Sequence, residues 1–144
     1  MRQAIVPHDC ISELHAAKLR ATPARLGVLA ILEHTDVPVD VSMIMEYLKN
    51  HHIAADEVTV FRILNVLTGK GIVKPIQFLE GKFRYEHAGE PKHHHFVCQK
   101  CGLVMNVTDC NVSRIEKKLE KTKGITVTSH SLEFFGVCYR CQTQ

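Results

Sequence analysis

Four of the six cysteines fall into two Cys-x-x-Cys pairs, Cys98/Cys101 and Cys138/Cys141. Each pair holds two thiols about one turn apart, which suits adjacent corners of a tetrahedron, and two pairs complete a closed all-thiolate site for a structural Zn2+. A redox Cys-x-x-Cys is usually single and precedes a helix in a βαβ unit, a context this pattern does not offer. With every corner filled by protein, such a site stabilises the fold and leaves no position open for chemistry. Cys10 and Cys110 have no neighbour at ligand spacing and read as small apolar filler or surface thiols.

The chain also holds 10 histidines. His93-His94-His95 ends just before Cys98. On an extended segment His93 and His95 share one face and His94 takes the other, so one strand can feed two sites. Glu86 and His87 lie just upstream and could join His93 and His95 in a regulatory site. On the far face His94 could meet His130, with Glu116 as a carboxylate. Imidazole and carboxylate ligands suit Fe2+, Zn2+, Mn2+ or Ni2+ alike, so the residues do not select the metal. The run is internal, short and pressed against a cysteine knuckle, unlike an expression tag. His51-His52 have no cysteine nearby and read as solvated loop residues.

These ligands need a scaffold. The chain has 144 residues, with 45% hydrophobic and 23% charged residues, which suits one or two small globular domains. Two half-length domains would each be marginal, so a metal or a second copy would help. The opening residues lack the apolar core of a secretory signal, and no stretch approaches the ~18 apolar residues of a membrane span. A cytoplasmic protein is therefore expected, in which cysteines stay reduced.

Composition changes along the chain. Residues 1–87 read as four helices and a hairpin; 88–92 (Ala-Gly-Glu-Pro-Lys) read as a linker; 93–144 hold the histidine run and most cysteines. The first helix is expected over about 9–18. Thr22-Pro23 caps the second, Asp40 starts the third and the fourth starts near Asp56. Val41, Ile44, Met45 and Leu48, then Val60, Ile63, Leu64 and Leu67, form apolar faces at helical spacing. Segments 72–78 and 82–87 flank Glu80-Gly81, a hairpin signal, and Pro75 confines the first strand to an edge. Two helices, a short turn and a two-stranded wing make a winged helix-turn-helix. The last part reads as strand, strand, helix, strand. Its helix over about 111–123 would turn Val112, Ile115 and Leu119 inward, with Ser113 and Glu116 at capping-box spacing. The whole is α+β: an N-terminal winged helix-turn-helix domain followed by a small α/β domain with a four-cysteine zinc site.

In that frame the fourth helix is the DNA reader. Val58, Arg62 and Asn65 point away from its apolar face and Phe61 flanks them. Arg62 can contact phosphate or a guanine edge, and Val58 and Phe61 can meet thymine methyls. Net charge is +3, but residues 1–87 hold 10 Lys+Arg against 10 Asp+Glu. Phosphate contacts must therefore come from local placement, not bulk charge.

Taken together, the residues resemble the ferric uptake regulator family of metal-responsive transcription regulators. The resemblance is carried by Thr22-Pro-Ala-Arg25, Thr59-Val60-Phe61-Arg62 with Leu64 and Leu67, Gly71-Ile72-Val73 and Arg84-Tyr85-Glu86. It continues through His93-His94-His95-Phe-Val-Cys98-Gln-Lys-Cys101-Gly102 and His130-Ser-Leu-Glu-Phe-Phe-Gly136-Val-Cys138-Tyr-Arg-Cys141. It implies a homodimer paired through the C-terminal domains, gripping a roughly palindromic, A·T-rich double-stranded operator. It further implies a role in repressing metal uptake or homeostasis genes. By the resemblance Glu86, His93 and His95 sit at hinge sensor positions, and His94 and His130 at the second site. Arg20 aligns with a basic residue that reaches the minor groove, and Thr59 joins Phe61, Arg62 and Asn65 in the DNA-binding set.

Three positions depart from the family pattern. Pro38 stands where a histidine is usual, so His87 or His34 must replace it or the site is weakened. Asn106 replaces a carboxylate, and Ser113 a glutamate, with Glu116 one turn on. A metal-independent, zinc-stapled repressor is one alternative. A peroxide- or zinc-sensing member is another, though Glu86 stands where peroxide sensors usually have Asp. No HExxH motif, nucleophile elbow or Gly-rich phosphate loop supports an enzyme.

Overall fold

The computed structural model describes residues 9–108 and 110–143. Chain contacts divide it into two compact units, the first ending at Glu90 and the second beginning at Pro91.

The first unit holds helices α1 (Cys10–Ala16), α2 (Pro23–His34), α3 (Val41–Asn50) and α4 (Glu57–Gly69), then strands β1 (Val73–Gln77) and β2 (Phe83–His87). Polar side chains set the helix starts. Asp9 accepts from the amides of Ile11 and Ser12, Thr22 from Arg25, Asp40 from Met43 and Asp56 from Thr59. Each satisfies a donor that the first turn leaves without an intrahelical acceptor. The apolar faces of the helices meet in one core, including Leu14, Val28, Leu32, Ile44, Leu48, Val60, Leu64 and Leu67.

The hairpin is antiparallel, with Val73 opposite His87 and Gln77 opposite Phe83. Its strands are shorter than expected and the connection longer, spanning Phe78 to Lys82. The extra length follows from anchoring inside the turn. Phe78 is buried, and Glu80 accepts both Nε and Nη2 of Arg84 at 2.9 Å, so the two-residue turn reading of Glu80-Gly81 gives way to a wider loop. On its other side β2 makes an isolated bridge, Val39 with Tyr85. β1 is therefore the edge strand, where Pro75 can sit without breaking a ladder.

The second unit holds β3 (His94–Cys98), β4 (Val104–Val107), α5 (Val112–Lys123), β5 (Glu133–Gly136) and a short α6 (Tyr139–Gln142). β3 is central, antiparallel to β4 and parallel to β5. Gly124, at φ 64°, ends α5 in the left-handed conformation. A buried cluster of this unit is made of Cys98, Cys138 and Cys141, with Phe96, Leu103 and Val137 packed on it.

Three expectations fail in this unit. Ile115 and Leu119 are 58% and 40% exposed and α5 has no buried residue, so the face expected to turn inward is uncovered in the single chain. The helix starts at Val112 without a side-chain cap, because Glu116 is drawn instead to His130. The last strand is shorter than the β-rich run suggests, and a short helix that the sequence reading did not include follows it at the second cysteine pair.

Candidate metal centres and nucleic-acid interface

Cys98 ends β3, Cys101 follows in the turn that leads to β4, and Cys138 and Cys141 open α6. Gly102, at φ 76°, lets the chain turn back sharply after the first pair. The four Sγ atoms lie within 4.8 Å of one another, and Cys101 and Cys138 approach to 3.7 Å. The Cys138 amide donates to Cys98 Sγ at 3.3 Å. That donor, with the amide of Cys101, pulls the Cys98 thiol down to about 6. Cys141 is pushed up to about 12, first by its hydrogen bond with Cys138 and then by burial. So many sulfurs cannot ionise together unless a cation neutralises them, and a coordinated thiol is deprotonated outright. Four thiolates, three of them buried and Cys101 exposed, form a structural Zn2+ site. Lys100 adds a positive charge beside it, its Nζ donating to the Cys141 carbonyl at 3.2 Å. Sequence reasoning passed over Lys100, although its place inside the first pair was the available signal.

The histidine run behaves as alternation requires. His93 and His95 turn to one side, with their Nε2 atoms 3.0 Å apart. His93 Nδ1 sits 2.6 Å from the Pro91 carbonyl, which can only accept, so Nδ1 carries the proton and Nε2 bears the lone pair. His95 is 3% exposed. On the other face His94 Nε2 lies 2.9 Å from His130 Nε2, and His130 Nδ1 lies 2.7 Å from Glu116 Oε1. Burial, and then the neighbouring His130, lower the pKa of His94 and favour its neutral, metal-binding form. His94 and His130 are thus brought together, and Glu116 reaches the pair through the back of His130.

In the first unit Glu86 is buried on β2 and lies 3.6 Å from Lys74 across the hairpin. His87 is occupied differently. The Gly89 amide donates to its Nδ1 at 3.0 Å, so Nε2 bears the proton and faces both Glu13 oxygens at 3.0 and 3.1 Å. To bind a metal through Nε2, His87 would have to release Glu13. Glu13 stands 74 positions away from it, and no local pattern could have named that pairing. His34 turns back on its own helix, with Nδ1 2.6 Å from the Ala30 carbonyl. Pro38 is fully buried and its carbonyl accepts from Arg84 Nη1 at 3.4 Å. Asn106 lies opposite His95 in the β3–β4 register.

The outward face of α4 carries Val58 (56% exposed) and Phe61 (42%), with Arg62 and Asn65 exposed beside them. Thr59 is half-buried and its amide donates to Asp56 at 2.7 Å, so it secures the start of the helix. Arg20 is exposed, and its carbonyl accepts from Arg25 Nη1 at 3.0 Å. Among the described residues, no helix is long and apolar enough to cross a membrane.

Comparison with known proteins gives a consistent answer. The model of the ferric uptake regulator family matches residues 16–135. A ferric uptake regulation protein of Bordetella parapertussis is 30% identical over 132 residues, covering 91% of this chain and 95% of its own. The Vibrio cholerae ferric uptake regulator is similar in structure with a TM-score of 0.79 at 28% identity, over 90% of this chain and 100% of its own. The Campylobacter jejuni peroxide stress regulator gives 0.71 at 30% identity, over 93% and 100%.

Proposed function

Because the chain belongs to the ferric uptake regulator family, we propose that it is a cytoplasmic, metal-dependent DNA-binding transcription regulator. It acts as a homodimer on an A·T-rich palindromic operator and represses genes of metal uptake or homeostasis. The observation that carries this reading is the His93–His95 pair: two imidazole Nε2 atoms 3.0 Å apart, one of them oriented by a backbone carbonyl. Glu86, buried at the end of the wing, is the carboxylate assigned to complete this regulatory site. His87 is held in reserve by Glu13. His94 and His130 form a second site. The uncovered face of α5, with Ile115 and Leu119, supports pairing between copies.

The bound ion supplies coupling energy through the residues that ligate it. It shifts the population toward the DNA-binding conformer only by its preference for that conformer over the open one. Similar proteins bear names that span iron uptake, peroxide stress and a zinc-bound manganese uptake regulator. Fe2+, Zn2+ and Mn2+ are accordingly the ions to test.

The test is operator binding by fluorescence anisotropy under anaerobic titration with each ion, the zinc in the cysteine site being retained. The effective metal should tighten binding about tenfold or more, roughly 1.4 kcal/mol of coupling. His93→Ala with His95→Ala should abolish that response. If the double variant stays equally metal-dependent, the regulatory assignment is wrong. Pro38 favours one second reading, a metal-independent repressor, since the residue at the family's histidine position is buried and bonded to the wing. Tight binding that no ion alters would establish that reading instead.

A further inference from the structure

The segment that returns from α5 to β5 is fastened to one face of that helix at two points. Glu120 Oε1 accepts from the Val127 amide at 3.0 Å, and one turn earlier Glu116 Oε1 meets His130 Nδ1 at 2.7 Å. Residues four apart on a helix lie above one another, so the two glutamates form one rail along which residues 127–130 are laid. His130 Nε2 is thereby turned toward His94 Nε2 at 2.9 Å.

The proton positions follow from the acceptors. A carboxylate can only accept, so His130 bears its proton on Nδ1 and its Nε2 has a free lone pair. Two ring nitrogens at hydrogen-bond distance need one proton between them, and His94 Nε2–H supplies it. A divalent cation entering the pair displaces that proton, His94 takes one up at Nδ1 in its place, and two Nε2 lone pairs converge on the ion. Glu116 is not aimed at this point, since its hydrogen bond lies on the opposite side of the His130 ring.

We propose that Glu116 is a positioning residue of the second metal site rather than a ligand: it fixes the His130 tautomer and orientation so that Nε2 of His130 and Nε2 of His94 hold a divalent cation of borderline softness, such as Zn2+. This rests on the reading of His94 and His130 as a second metal site. A carboxylate behind a ligating imidazole raises its basicity, and loss of such a group costs about 10- to 100-fold in metal affinity. With two protein nitrogens the site keeps positions for exchangeable ligands, and it will load and release its ion where the four-thiolate site holds its own.

The experiment follows the histidine ring nitrogens of the full-length protein by long-range proton–nitrogen correlation, before and during titration with Zn2+, the cysteine site being filled. Unaltered protein should show His130 protonated at Nδ1 and, on loading, metal-shifted at Nε2. Glu116→Ala should move the metal-free tautomer toward Nε2–H and weaken binding about 10- to 100-fold at the same stoichiometry. Glu116→Gln, which keeps an acceptor without the charge, should fall between. His94→Ala and His130→Ala should each remove the ion. If Glu116→Ala and Glu116→Gln both remove it as completely as His130→Ala, Glu116 is a ligand. If tautomer and affinity are unchanged in Glu116→Ala, it has no role at the site. If His94→Ala and His130→Ala leave zinc stoichiometry intact, the second-site reading itself fails and the proposal falls with it.

Discussion

The amide of Cys138 donates to the sulfur of Cys98 at 3.3 Å, joining the end of β3 to the start of α6 across 40 positions of sequence. That contact sits in the buried cluster that also holds Cys141, Phe96, Leu103 and Val137. The second unit is therefore organised around its metal ligands. α5 contributes no buried residue to offset their loss.

Zinc removal should accordingly unfold the second unit and spare the first. Structural zinc sites of this kind supply folding free energy directly. Treatment with a strong chelator, or Cys138→Ser, should collapse amide hydrogen-exchange protection in β3, β4 and β5. Protection in α2 and α4, whose core is Leu, Val and Ile, should persist. Equal loss of protection in both units would show that the cysteine cluster is not an independent staple.

Asp40 sets an acid limit on the first unit. Its carboxylate accepts from the Met43 amide at 2.9 Å, capping α3, and is paired with Lys82 from the wing. Burial alone would raise its pKa, but Lys82 and the Met43 amide outweigh it and the net shift is downward. A depressed folded value means that the stabilisation is present above the unfolded carboxyl range, near pH 4, and is lost as pH falls through the folded value. Asp40→Ala should cost about 1–2 kcal/mol at neutral pH, in line with a lost helix cap. Urea titrations of the variant should also show a shallower decline of stability from pH 5 to pH 2. An unchanged decline would place the acid sensitivity elsewhere.

What could be read ahead of the structure divides by range. The cysteine pairs and the His93/His94/His95 alternation were legible because ligand spacing and strand period are local properties. So were the caps at Thr22, Asp40 and Asp56, each written within one turn. The fate of His87 was not, because its Glu13 partner comes from the far end of the unit. α5 misled for a related reason. Its apolar period predicts a buried face, but in the single chain Ile115 and Leu119 stay exposed. Glu116 was named as a carboxylate near His94, but only the fold shows that it reaches His130 from behind.

Gly27 is a position whose importance periodicity did not signal. A Cβ there would stand 2.5 Å from Leu48 Cδ2 and 2.9 Å from Ile53 Cδ1, so the missing side chain lets α2 approach α3. Gly27→Ala gains up to about 1 kcal/mol in helix propensity. It meets an overpacking cost of about 1–3 kcal/mol, because Leu48 is buried and its Cδ2 must shift within the core. The net effect should be destabilising, with the thermal midpoint falling by several degrees. Adding Leu48→Val should recover part of the loss, which a double-mutant cycle on the thermal midpoints would register as coupling. A rise in midpoint for Gly27→Ala alone would mean that the α2–α3 contact is looser than it stands here.

Arg62 carries the DNA-reading assignment. It is exposed on the face of α4 opposite the buried Val60, Ile63, Leu64 and Leu67, beside Val58, Phe61 and Asn65. Residues 1–87 carry balanced charge, so one correctly placed guanidinium matters more than it would on a basic surface. Arg62→Ala should weaken operator binding by about 1–3 kcal/mol and reduce the salt dependence by about one phosphate contact. Arg62→Lys separates the two modes of contact. A phosphate contact tolerates the ammonium, whereas a bidentate guanine contact, fitted to the planar guanidinium fork, is weakened. Since the side chain lies outside the core, both variants should melt with the unaltered protein. Operator affinity that survives Arg62→Ala intact, measured at fixed salt with the regulatory metal bound, would move the reading surface away from α4.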